Sequence, residues 1–379
     1  MVSPQGWGDI HLSKHHYAIE LAKSGNTVYF LDPIKSGSVG SFTCKVSEVE
    51  DRLHHVQVTA WLPYGLRFRF PWLFNFLVNH YARKVARKLV ASLDIVWCFN
   101  VHHFDDLRAF GARLNIFHAV DIFEEANMHS SRHADLILAT TDDIAAKFDK
   151  TGIPVYKIEH GVSSCFLQYT EKYRKEGDKT YAAGDPINIG YVGNLLMHGI
   201  DRQSFICIVE ENENVAFHLW GPYELGTSNI AGRRKEIDAD TVKFIEQLKN
   251  SPNVTLYGIK PPDDIAKHFQ EMDGFLICYD LTKEVNKGAN SHKILEYLST
   301  GKATVSNRIS AYANRPGLVE MLPEDGSVEL PDLFKKVVSG LGDYNRKELR
   351  EQRINFVSKH SYSHQIESIV TIIDKHQLV

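Results

Sequence analysis

The fold of this chain is constrained most by a regular alternation of short β-rich segments with amphipathic stretches. In the first half, segments typical of buried strands lie at 26–32, 93–99, 114–120, 134–140 and 155–161. Helical stretches such as 14–25 and 142–152 lie between them. Strands that alternate with helices form parallel sheets with helices on both faces, because each crossover connection must pass over the sheet. The sequence therefore predicts an α/β protein with doubly wound sheets.

The alternation pauses at 168–185, a polar stretch without periodicity that is the best candidate for a linker. After it, strands are predicted at 187–194, 215–222, 253–258, 274–279 and 303–307. Since 379 residues exceed the usual size of one core, more than one domain is needed. We expect two similar doubly wound α/β domains with a ligand-binding cleft between them, with these divisions: first domain 1–167, linker 168–185, second domain 186–358, C-terminal helix 359–379.

Composition excludes several classes of protein. Apolar residues make up 43% of the chain and charged residues 24%, which excludes disorder. The net charge of −4 gives no general attraction to nucleic acid. No apolar run reaches 18 residues and no signal peptide is visible, so no membrane span is expected. The five cysteines are scattered, which predicts reduced thiols in a cytoplasmic protein.

One predicted helix carries a lysine where a carboxylate is favoured. In the segment NSHKILEYLSTGKATVS, which ends at residue 306, apolar residues recur at helical spacing. With Ser291 or Asn290 as the N-cap, His292 and Lys293 fall in the first turn, which carries partial positive charge. An anion bound there would explain the lysine, with Glu296 suited to sugar hydroxyls. The alternative is a Lys293–Glu296 salt bridge on a solvated helix.

The same segment resembles the P-x-K-x-x-E-Y-L-A-x-G-K-P-V-V-S block of GT-B glycosyltransferases, which use nucleotide sugars and have two Rossmann-like domains. The likeness extends through IGYVGNLLMHGID, FHLWGP and NVTLYGIKPPDDIAKHFQEMDGFLICY, and in the first half through ADLILATTDDIAAKF and IEHGVSSCF. The chain thus resembles a divergent member of the family 4, or group 1, glycosyltransferases. The resemblance implies an acceptor-binding first domain, a donor-binding second domain and a C-terminal helix that crosses back to the first domain.

The resemblance also implies the donor site. The lysine of the block contacts the donor pyrophosphate and the glutamate holds the ribose hydroxyls, and these roles map to Lys293 and Glu296. The backbone at Gly258 and Ile259 would meet the base of a UDP or GDP sugar. The other implied donor-binding positions are Gly193, Asn194, His198, Arg202, Gly221, Tyr279, Asn290, Ser291 and His292.

Several positions depart from the family pattern. Retaining members usually carry a second glutamate eight residues before the first, and Gly288 occupies that position. The Arg/Lys pair expected after the first donor-domain strand is represented only by His198 and Arg202, in less familiar spacing. The block's usual prolines are replaced by His292 and Ala303. Retention or inversion of configuration is therefore left open.

No metal or other cofactor is predicted. The adjacent histidines at 15–16 and at 102–103 do not point at one ion, and neither pair has i,i+4 spacing with a carboxylate. The triplet DAD at 238–240 has the spacing of the metal-binding DxD motif of a different glycosyltransferase fold. Because it lies in a polar stretch, a solvated helix start is the better interpretation.

On the acceptor side, Gly6, Trp7 and Gly8 form a turn that enters a helix and are candidates for an acceptor loop. A tight turn with an anchoring tryptophan is the alternative. Only Met1 and Val2 precede Ser3, so the strand expected before this turn is nearly missing, as in a truncated first strand.

The segment IFHAVD places His118 and Asp121 at the carboxyl end of a strand, where we expect them to face the cleft as catalytic residues. A histidine there could shield an oxocarbenium-like transition state, and a carboxylate could deprotonate an acceptor hydroxyl. A strand-end histidine with a purely structural role is the alternative.

From Arg52 to Leu93 the chain has no Asp or Glu, while cations and aromatic residues are frequent. Within this stretch, the segment 64–93 suits the interface of an anionic membrane, on the inner face of which the protein would bind peripherally. The alternative is a domain helix with its apolar side in the core and its cations in water. Nucleic acid is not expected as a partner, because the rest of the chain is not basic.

Together these features predict an enzyme that transfers a sugar from a nucleoside diphosphate sugar to a glycan or lipid-linked acceptor in bacterial surface-polysaccharide assembly. Two alternatives stay open. A nucleotide-sugar 2-epimerase shares this fold and needs no acceptor. A non-catalytic sugar-nucleotide-binding partner of a transferase is the other, and Gly288 in place of the expected acid favours it.

Overall fold

The computed structural model describes residues 1–8, 10–101, 103–182, 184–224, 237–283 and 291–376, with residues 124 and 292 described by their backbone alone. The chain divides into two compact units. The first contains Met1–Glu159 and Tyr362–Val379, and the second contains His160–Ser361. The C-terminal helix therefore belongs to the first unit, as the resemblance implies.

The strands of the described residues are β1 Val28–Leu31, β2 Lys35–Ser36, β3 Phe42–Glu50, β4 Leu53–Ala60, β5 Ile95–Cys98, β6 Leu114–Ala119, β7 Leu136–Ala139, β8 Val155–Lys157, β9 Ile187–Val192, β10 Val215–Trp220, β11 Val254–Gly258, β12 Gly274–Leu276, β13 Ala303–Ser306 and β14 Glu320–Met321. The helices are α1 Ser13–Lys23, α2 Leu66–Arg69, α3 Pro71–Leu89, α4 Glu124–Ser131, α5 Asp142–Ala146, α6 Ser164–Leu167, α7 Thr170–Lys175, α8 Arg202–Glu211, α9 Ala239–Asn250, α10 Pro262–His268, α11 His292–Leu298, α12 Leu330–Ser339, α13 Leu341–Tyr344, α14 Lys347–Ser358 and α15 Tyr362–Lys375. All ten predicted strand segments contain a strand.

In the first unit, two groups of strands are joined by a residue near the start of the chain. Strands β5, β6, β7 and β8 are parallel neighbours in that order, while β1, β2 and β3 all pair with β4. Val2 bridges the two groups, since it pairs in parallel with both Leu31 and Cys98. Its N–H donates to the Trp97 carbonyl at 2.8 Å, and its carbonyl accepts from the Phe99 N–H at 2.9 Å. One residue thus takes the place of the strand that the sequence shows as nearly missing.

The antiparallel hairpin of β3 and β4 is absent from the sequence prediction. Arg52 forms its turn with a φ of 61°, in the left-handed region. In β4 the buried residues alternate, as expected for a strand with one face on the core. Most residues of β3 are exposed, so its sequence carries little apolar pattern.

The second unit is built on six parallel strands in the order β11-β10-β9-β12-β13-β14. Buried apolar clusters line both faces, as a doubly wound sheet requires. The stretch 168–185 lies within this unit. Its Lys179 pairs with Asp273 at 2.6 Å and its Asp178 with Arg350 at 3.1 Å, so it is attached to the unit's body.

None of the helices that the structure describes is both long and apolar enough to cross a membrane. Helix α3, for example, is long enough, but charged and polar residues lie between its buried apolar residues.

Candidate functional site

Three glycine turns meet at the carboxyl edge of the second sheet. The Gly193 N–H donates to the Trp220 carbonyl at 2.8 Å, and the Gly221 N–H donates to the Gly258 carbonyl at 2.8 Å. Gly221 has a φ of +134°, and a Cβ on it would collide with the Gly193 carbonyl. Only glycine permits this approach, so the predicted donor-site turns after β9, β10 and β11 lie side by side. Open α/β sheets bind ligands at this edge.

The neighbouring positions complete this edge. The Asn194 side chain accepts from the Leu196 N–H at 3.0 Å, which fixes the turn after Gly193. Ile259, directly after the Gly258 turn, is partly exposed, with 36% of its surface accessible.

Helix α11 begins beside this edge. Its N-cap is Ser291, and Lys293 lies in the first turn, as the sequence predicts. The Tyr297 hydroxyl accepts from the Val192 N–H at 2.7 Å, which ties α11 to the end of β9. Asn290 and the His292 side chain lie outside the described residues.

Tyr279 lies between the strand edge and this helix. Its backbone N–H donates to Asn307 Oδ1 at 2.6 Å, and its hydroxyl is 3.4 Å from Ser291 Oγ. The Lys293 Nζ is 5.9 Å from the centroid of the Tyr279 ring. Tyr279 is fully buried, so its ring supports the Lys293 side chain and is not itself exposed to a ligand.

The salt bridge of the alternative interpretation is absent. In the described part of the chain, neither Lys293 nor Glu296 makes an ion pair, and no hydrogen bond reaches either charged group. The Glu296 side chain is half-buried. Burial of its carboxyl group among protein atoms raises its pKa to about 8, and Lys293 opposes the shift. A lysine without an ion-pair partner and a carboxyl group that is largely uncharged at neutral pH therefore lie on the helix that is tied to the end of β9.

His198 and Arg202 lie in a neighbouring cavity of about 1030 Å³, which Asp238 and Asp280 also line. Arg202 donates to Thr241 Oγ1 at 2.5 Å and lies 3.5 Å from Asp238. His198 Nδ1 is 3.4 Å from the same aspartate. These contacts hold Arg202 within the protein, so it differs from the unpaired Lys293.

Asp238 caps helix α9 by accepting from the Thr241 N–H at 2.8 Å. The DAD triplet is therefore a helix start, as interpreted from the sequence. Over the residues that the structure describes, no three His, Cys, Asp or Glu side chains are grouped to hold a metal ion.

In the first unit, the Gly6–Gly8 turn is built into the domain. The Trp7 N–H donates to Asp32 Oδ1 at 2.9 Å, and the Trp7 ring meets the Phe30 ring at 5.0 Å. His15 Nε2 lies 3.3 Å from the Gly6 carbonyl. These contacts fit the alternative of an anchoring tryptophan. Gly8 remains half-exposed next to it.

His118 does not lie on an open surface, in contrast to the expectation from the sequence. Only 2% of it is exposed, and its ring stacks on Phe99 at 4.8 Å and on Trp97 at 5.8 Å. The residue points from β6 into an aromatic cluster that includes Tyr17. His118 lies near the end of β6, as the sequence predicts, but its ring packs against aromatic side chains from other elements, which the local sequence does not reveal. Asp121, in contrast, is exposed.

Two features were missed in the sequence. Lys14, in the first turn of α1, is only 7% exposed. His129 Nε2 lies 2.7 Å from Asp105 Oδ2, in a cavity of about 220 Å³ that Asn75 and Arg132 also line. Lys14 had the same signal as Lys293, a cation in a first turn, whereas the His129–Asp105 pair has no local sequence signature.

Comparison with solved structures gives matches over nearly the whole chain. An E. coli structure described as trehalose-6-phosphate bound with UDP-2-fluoro glucose matches with a TM-score of 0.67 and 12% identity, covering 98% of each chain. Sucrose-phosphate synthase from Thermosynechococcus elongatus matches with a TM-score of 0.66 and 10% identity, over 99% of this chain and 97% of that one. WaaG, a glycosyltransferase involved in lipopolysaccharide biosynthesis, matches at 0.58 and 14% identity, over 98% of each.

The chain has the GT-B fold. This confirms the two Rossmann-like domains that the resemblance implies, and the structural neighbours are GT-B glycosyltransferases. In comparisons by sequence, no protein-family model and no curated protein matches this chain.

The raised pKa of Glu296 predicts a pH-dependent stability difference. Unfolding returns the Glu296 pKa from about 8 to its ordinary value near 4.5, so charging this group favours the unfolded chain as pH rises from 4.5 to 8. Glu296→Gln should therefore stabilise the ligand-free protein by about 1–3 kcal/mol at pH 8.5 and by almost nothing at pH 4. Thermal unfolding at both pH values measures this.

The matched control is Glu246→Gln, because Glu246 is exposed on α9. It should leave the unfolding temperature nearly unchanged at both pH values. A Glu296→Gln variant that behaves like this control would show that the Glu296 carboxyl is solvated in the ligand-free protein.

Proposed function

We propose that this protein is a glycosyltransferase that moves a sugar from a nucleoside diphosphate sugar, of UDP or GDP type, to an acceptor. One observation carries the proposal: Lys293 and Glu296 lie beside the glycine turns at a ligand-binding sheet edge, and neither has a charged partner among the described residues. A lysine without a partner and a carboxyl group held away from water without a hydrogen bond are both groups whose partners a ligand can supply. The glycosyltransferase neighbours agree with this assignment.

A nucleoside diphosphate fits the two groups. The Lys293 ammonium would bind the diphosphate and stabilise the negative charge on the departing nucleotide, which replaces a metal ion in that role. The Glu296 carboxylate would accept hydrogen bonds from the ribose hydroxyls. In the proposal, Gly258 and Ile259 meet the base, Gly193, Asn194 and Gly221 meet the phosphates or the sugar, and Tyr279 supports the pocket from below. Asn290, Ser291 and His292 complete the start of α11.

On the acceptor side, Asp121 is the better candidate for the catalytic group. Its exposed carboxylate can reach an acceptor hydroxyl, while buried His118 would act by positioning the edge of β6. The Gly6–Trp7–Gly8 turn would border the acceptor.

We also propose that the acceptor is a glycan or lipid-linked molecule at the cytoplasmic face of a bacterial membrane, in surface-polysaccharide assembly. Phe68, Trp72 and Phe76 are exposed by 80%, 71% and 62%. They lie on α2 and the first half of α3, next to Arg67 and Arg69. Exposed aromatic rings beside cations, without acidic residues, suit an anionic membrane interface.

The second half of α3 is less suited to this contact. Lys88 donates to the Cys44 carbonyl at 2.6 Å, and the Lys84 ammonium is 5.0 Å from the centroid of the Phe42 ring. Both cations are therefore held against β3. The proposed membrane contact is the aromatic patch, defined here as Phe68, Trp72 and Phe76.

The alternative functions differ in what they do to the donor. A 2-epimerase would convert a nucleotide sugar without any acceptor, and a non-catalytic binding protein would release no nucleotide with any acceptor. Incubation with donor alone and with donor plus candidate acceptors separates the three, when free nucleotide and epimer are both measured.

The donor site predicts the effect of two substitutions. Lys293→Ala should weaken the binding of UDP and GDP by about 10- to 150-fold, because a charge-assisted contact to phosphate is lost. Glu296→Gln should weaken ribose-containing ligands but leave inorganic pyrophosphate binding nearly unchanged. Calorimetric titration of UDP, GDP and pyrophosphate measures both effects.

Lys267→Ala is the matched control, because Lys267 is an exposed lysine of the same unit that pairs with Asp264 at 3.4 Å. It should bind all three ligands like the wild type. Equal nucleotide affinities in the wild type, Lys293→Ala and Lys267→Ala would rule out the proposed donor site.

The aromatic patch predicts reversible membrane binding. Replacing Phe68, Trp72 and Phe76 with serine should lower the partition onto anionic vesicles by more than about tenfold, since the apolar area that enters the interface is lost. Co-sedimentation with vesicles at low salt measures this. Val39→Ser, which removes an apolar side chain that is 82% exposed elsewhere in the same unit, should have no effect. Identical sedimentation of the triple variant and the wild type would dismiss the membrane contact.

A further inference from the structure

A cavity in the first unit lies between α3, the segment that follows β5 and the end of α4. Its volume is about 220 Å³, far more than one water molecule needs. Asn75 and Asn79 line it from α3, and Arg132 and His133 line it from the residues that follow α4. Arg132 is exposed and the other three residues are half-exposed, so the cavity is open to the surface.

The two carboxylates that line this cavity already have partners within the protein. Asp105 Oδ2 lies 2.7 Å from His129 Nε2. Asp106 accepts from Nε and Nη2 of Arg108 at 2.9 and 3.0 Å, and also from the Arg108 N–H at 3.1 Å. The cavity therefore offers a cationic ligand no carboxylate that lacks a partner.

The donor groups that line the cavity are, in contrast, unused. Within the described residues, no hydrogen bond and no ion pair is made by the side chains of Asn75, Asn79, Arg132 and His133. A guanidinium group presents a planar fork of N–H donors, and each amide adds an NH₂ group. A guanidinium beside neutral donors matches a phosphate group, which carries negative charge and several acceptor oxygens. The unused groups therefore favour an anionic ligand.

The wall of the cavity is continuous with the aromatic patch. Asn75 and Asn79 lie on α3 at three or four residues from Trp72 and Phe76, so the four side chains share one face of the helix. Trp72 and Phe76 are exposed, whereas Asn75 and Asn79 line the cavity. A ligand with its phosphate in the cavity would place an attached apolar chain against the two rings. This combination is typical of a lipid and not of a free phosphate ion.

We propose that this cavity binds the phosphate of an anionic membrane phospholipid, and we call it the headgroup cavity, defined by Asn75, Asn79, Arg132 and His133. Arg132 supplies the charge, and the two amides donate to the remaining phosphate oxygens. The inference rests on the membrane contact in the proposed function, because a lipid reaches the cavity only where the aromatic patch meets a bilayer. It adds recognition of a headgroup to binding by apolar area, and it does not involve the donor site.

The test is calorimetric titration of the full chain with short-chain lipids below their micelle concentrations, so that no charged surface contributes. Dihexanoyl phosphatidylglycerol should bind the wild type at least about tenfold more tightly than it binds Arg132→Gln or Asn79→Asp. The first substitution removes the charge, and the second places a carboxylate next to the phosphate. Arg113→Gln is the matched control, because Arg113 is an exposed arginine of the same unit that lies 3.7 Å from Asp94. It should bind like the wild type.

Two other probes distinguish the possible ligands. Dihexanoyl phosphatidylcholine should bind the wild type at least about tenfold more weakly, because its trimethylammonium group would lie near the Arg132 cation. Glycerol 1-phosphate should also bind more weakly, because it lacks the chains that contact the aromatic rings. Equal affinity for the two lipids would mean that the rings alone bind lipid, and equal affinity for glycerol 1-phosphate would assign the cavity to a soluble phosphate. Either result overturns the inference, as does wild-type affinity in both Arg132→Gln and Asn79→Asp.

Further measurements separate this inference from the proposed function. UDP should bind Arg132→Gln and the wild type equally, so a failure of UDP binding concerns the donor site alone. The variant with serine at positions 68, 72 and 76 should bind glycerol 1-phosphate like the wild type but phosphatidylglycerol more weakly. Unchanged vesicle binding by that variant would remove the membrane contact, whereas the headgroup cavity fails only on the short-chain lipids.

Thermal unfolding checks that the substitutions act on the ligand. Arg132→Gln and Asn79→Asp should unfold near the wild-type temperature, because neither side chain has a partner in the described part of the chain. A clear fall in both variants would show that these side chains have partners in the folded protein, and it would contradict the inference.

Discussion

The backbone contact between the turns after β9 and β10 determines where the candidate donor site can form. Gly221 approaches the Gly193 carbonyl so closely that any side chain would prevent it, and its N–H bonds to Gly258 on the other side. These contacts place the carboxyl ends of β9, β10 and β11 next to one another. Helix α11 is then held to the first of them through Tyr297 and Val192. Lys293 and Glu296 have defined positions because they lie on a helix anchored to these turns, rather than on a free loop.

Both units share an unusual electrostatic feature. Lys14 in the first unit and Lys293 with Glu296 in the second are ionisable groups that make no ion pair among the described residues, and burial shifts the pKa values of Lys14 and Glu296 towards their uncharged forms. Proteins usually pair such groups, since burial disfavours their charged forms. Sites that are completed only by a ligand often reduce the stability of the free protein. The arrangement of these charges therefore favours binding over the stability of the empty protein.

Periodicity was enough to predict the two parallel sheets, because each buried strand is an apolar run between helical stretches. It failed for the hairpin of β3 and β4, since the exposed faces of β3 dilute the apolar pattern. It also failed for His118, because a strand position defines the sheet edge, whereas the facing side chains from Tyr17, Trp97 and Phe99 depend on tertiary packing. The burial of Lys14 could not be predicted for the same reason, although its place in a first helical turn could.

The chain passes between the two units twice, after residue 159 and again before residue 362. Helix α15 supplies Tyr362, Ile366 and Ile369 to an apolar cluster with Trp97 and Leu136 of the first unit. During synthesis on the ribosome, the second unit emerges in one continuous piece. The first unit, although it is begun earlier, lacks part of its core until helix α15 has left the exit tunnel. The order in which the units can finish folding is thus the reverse of the order in which they are begun.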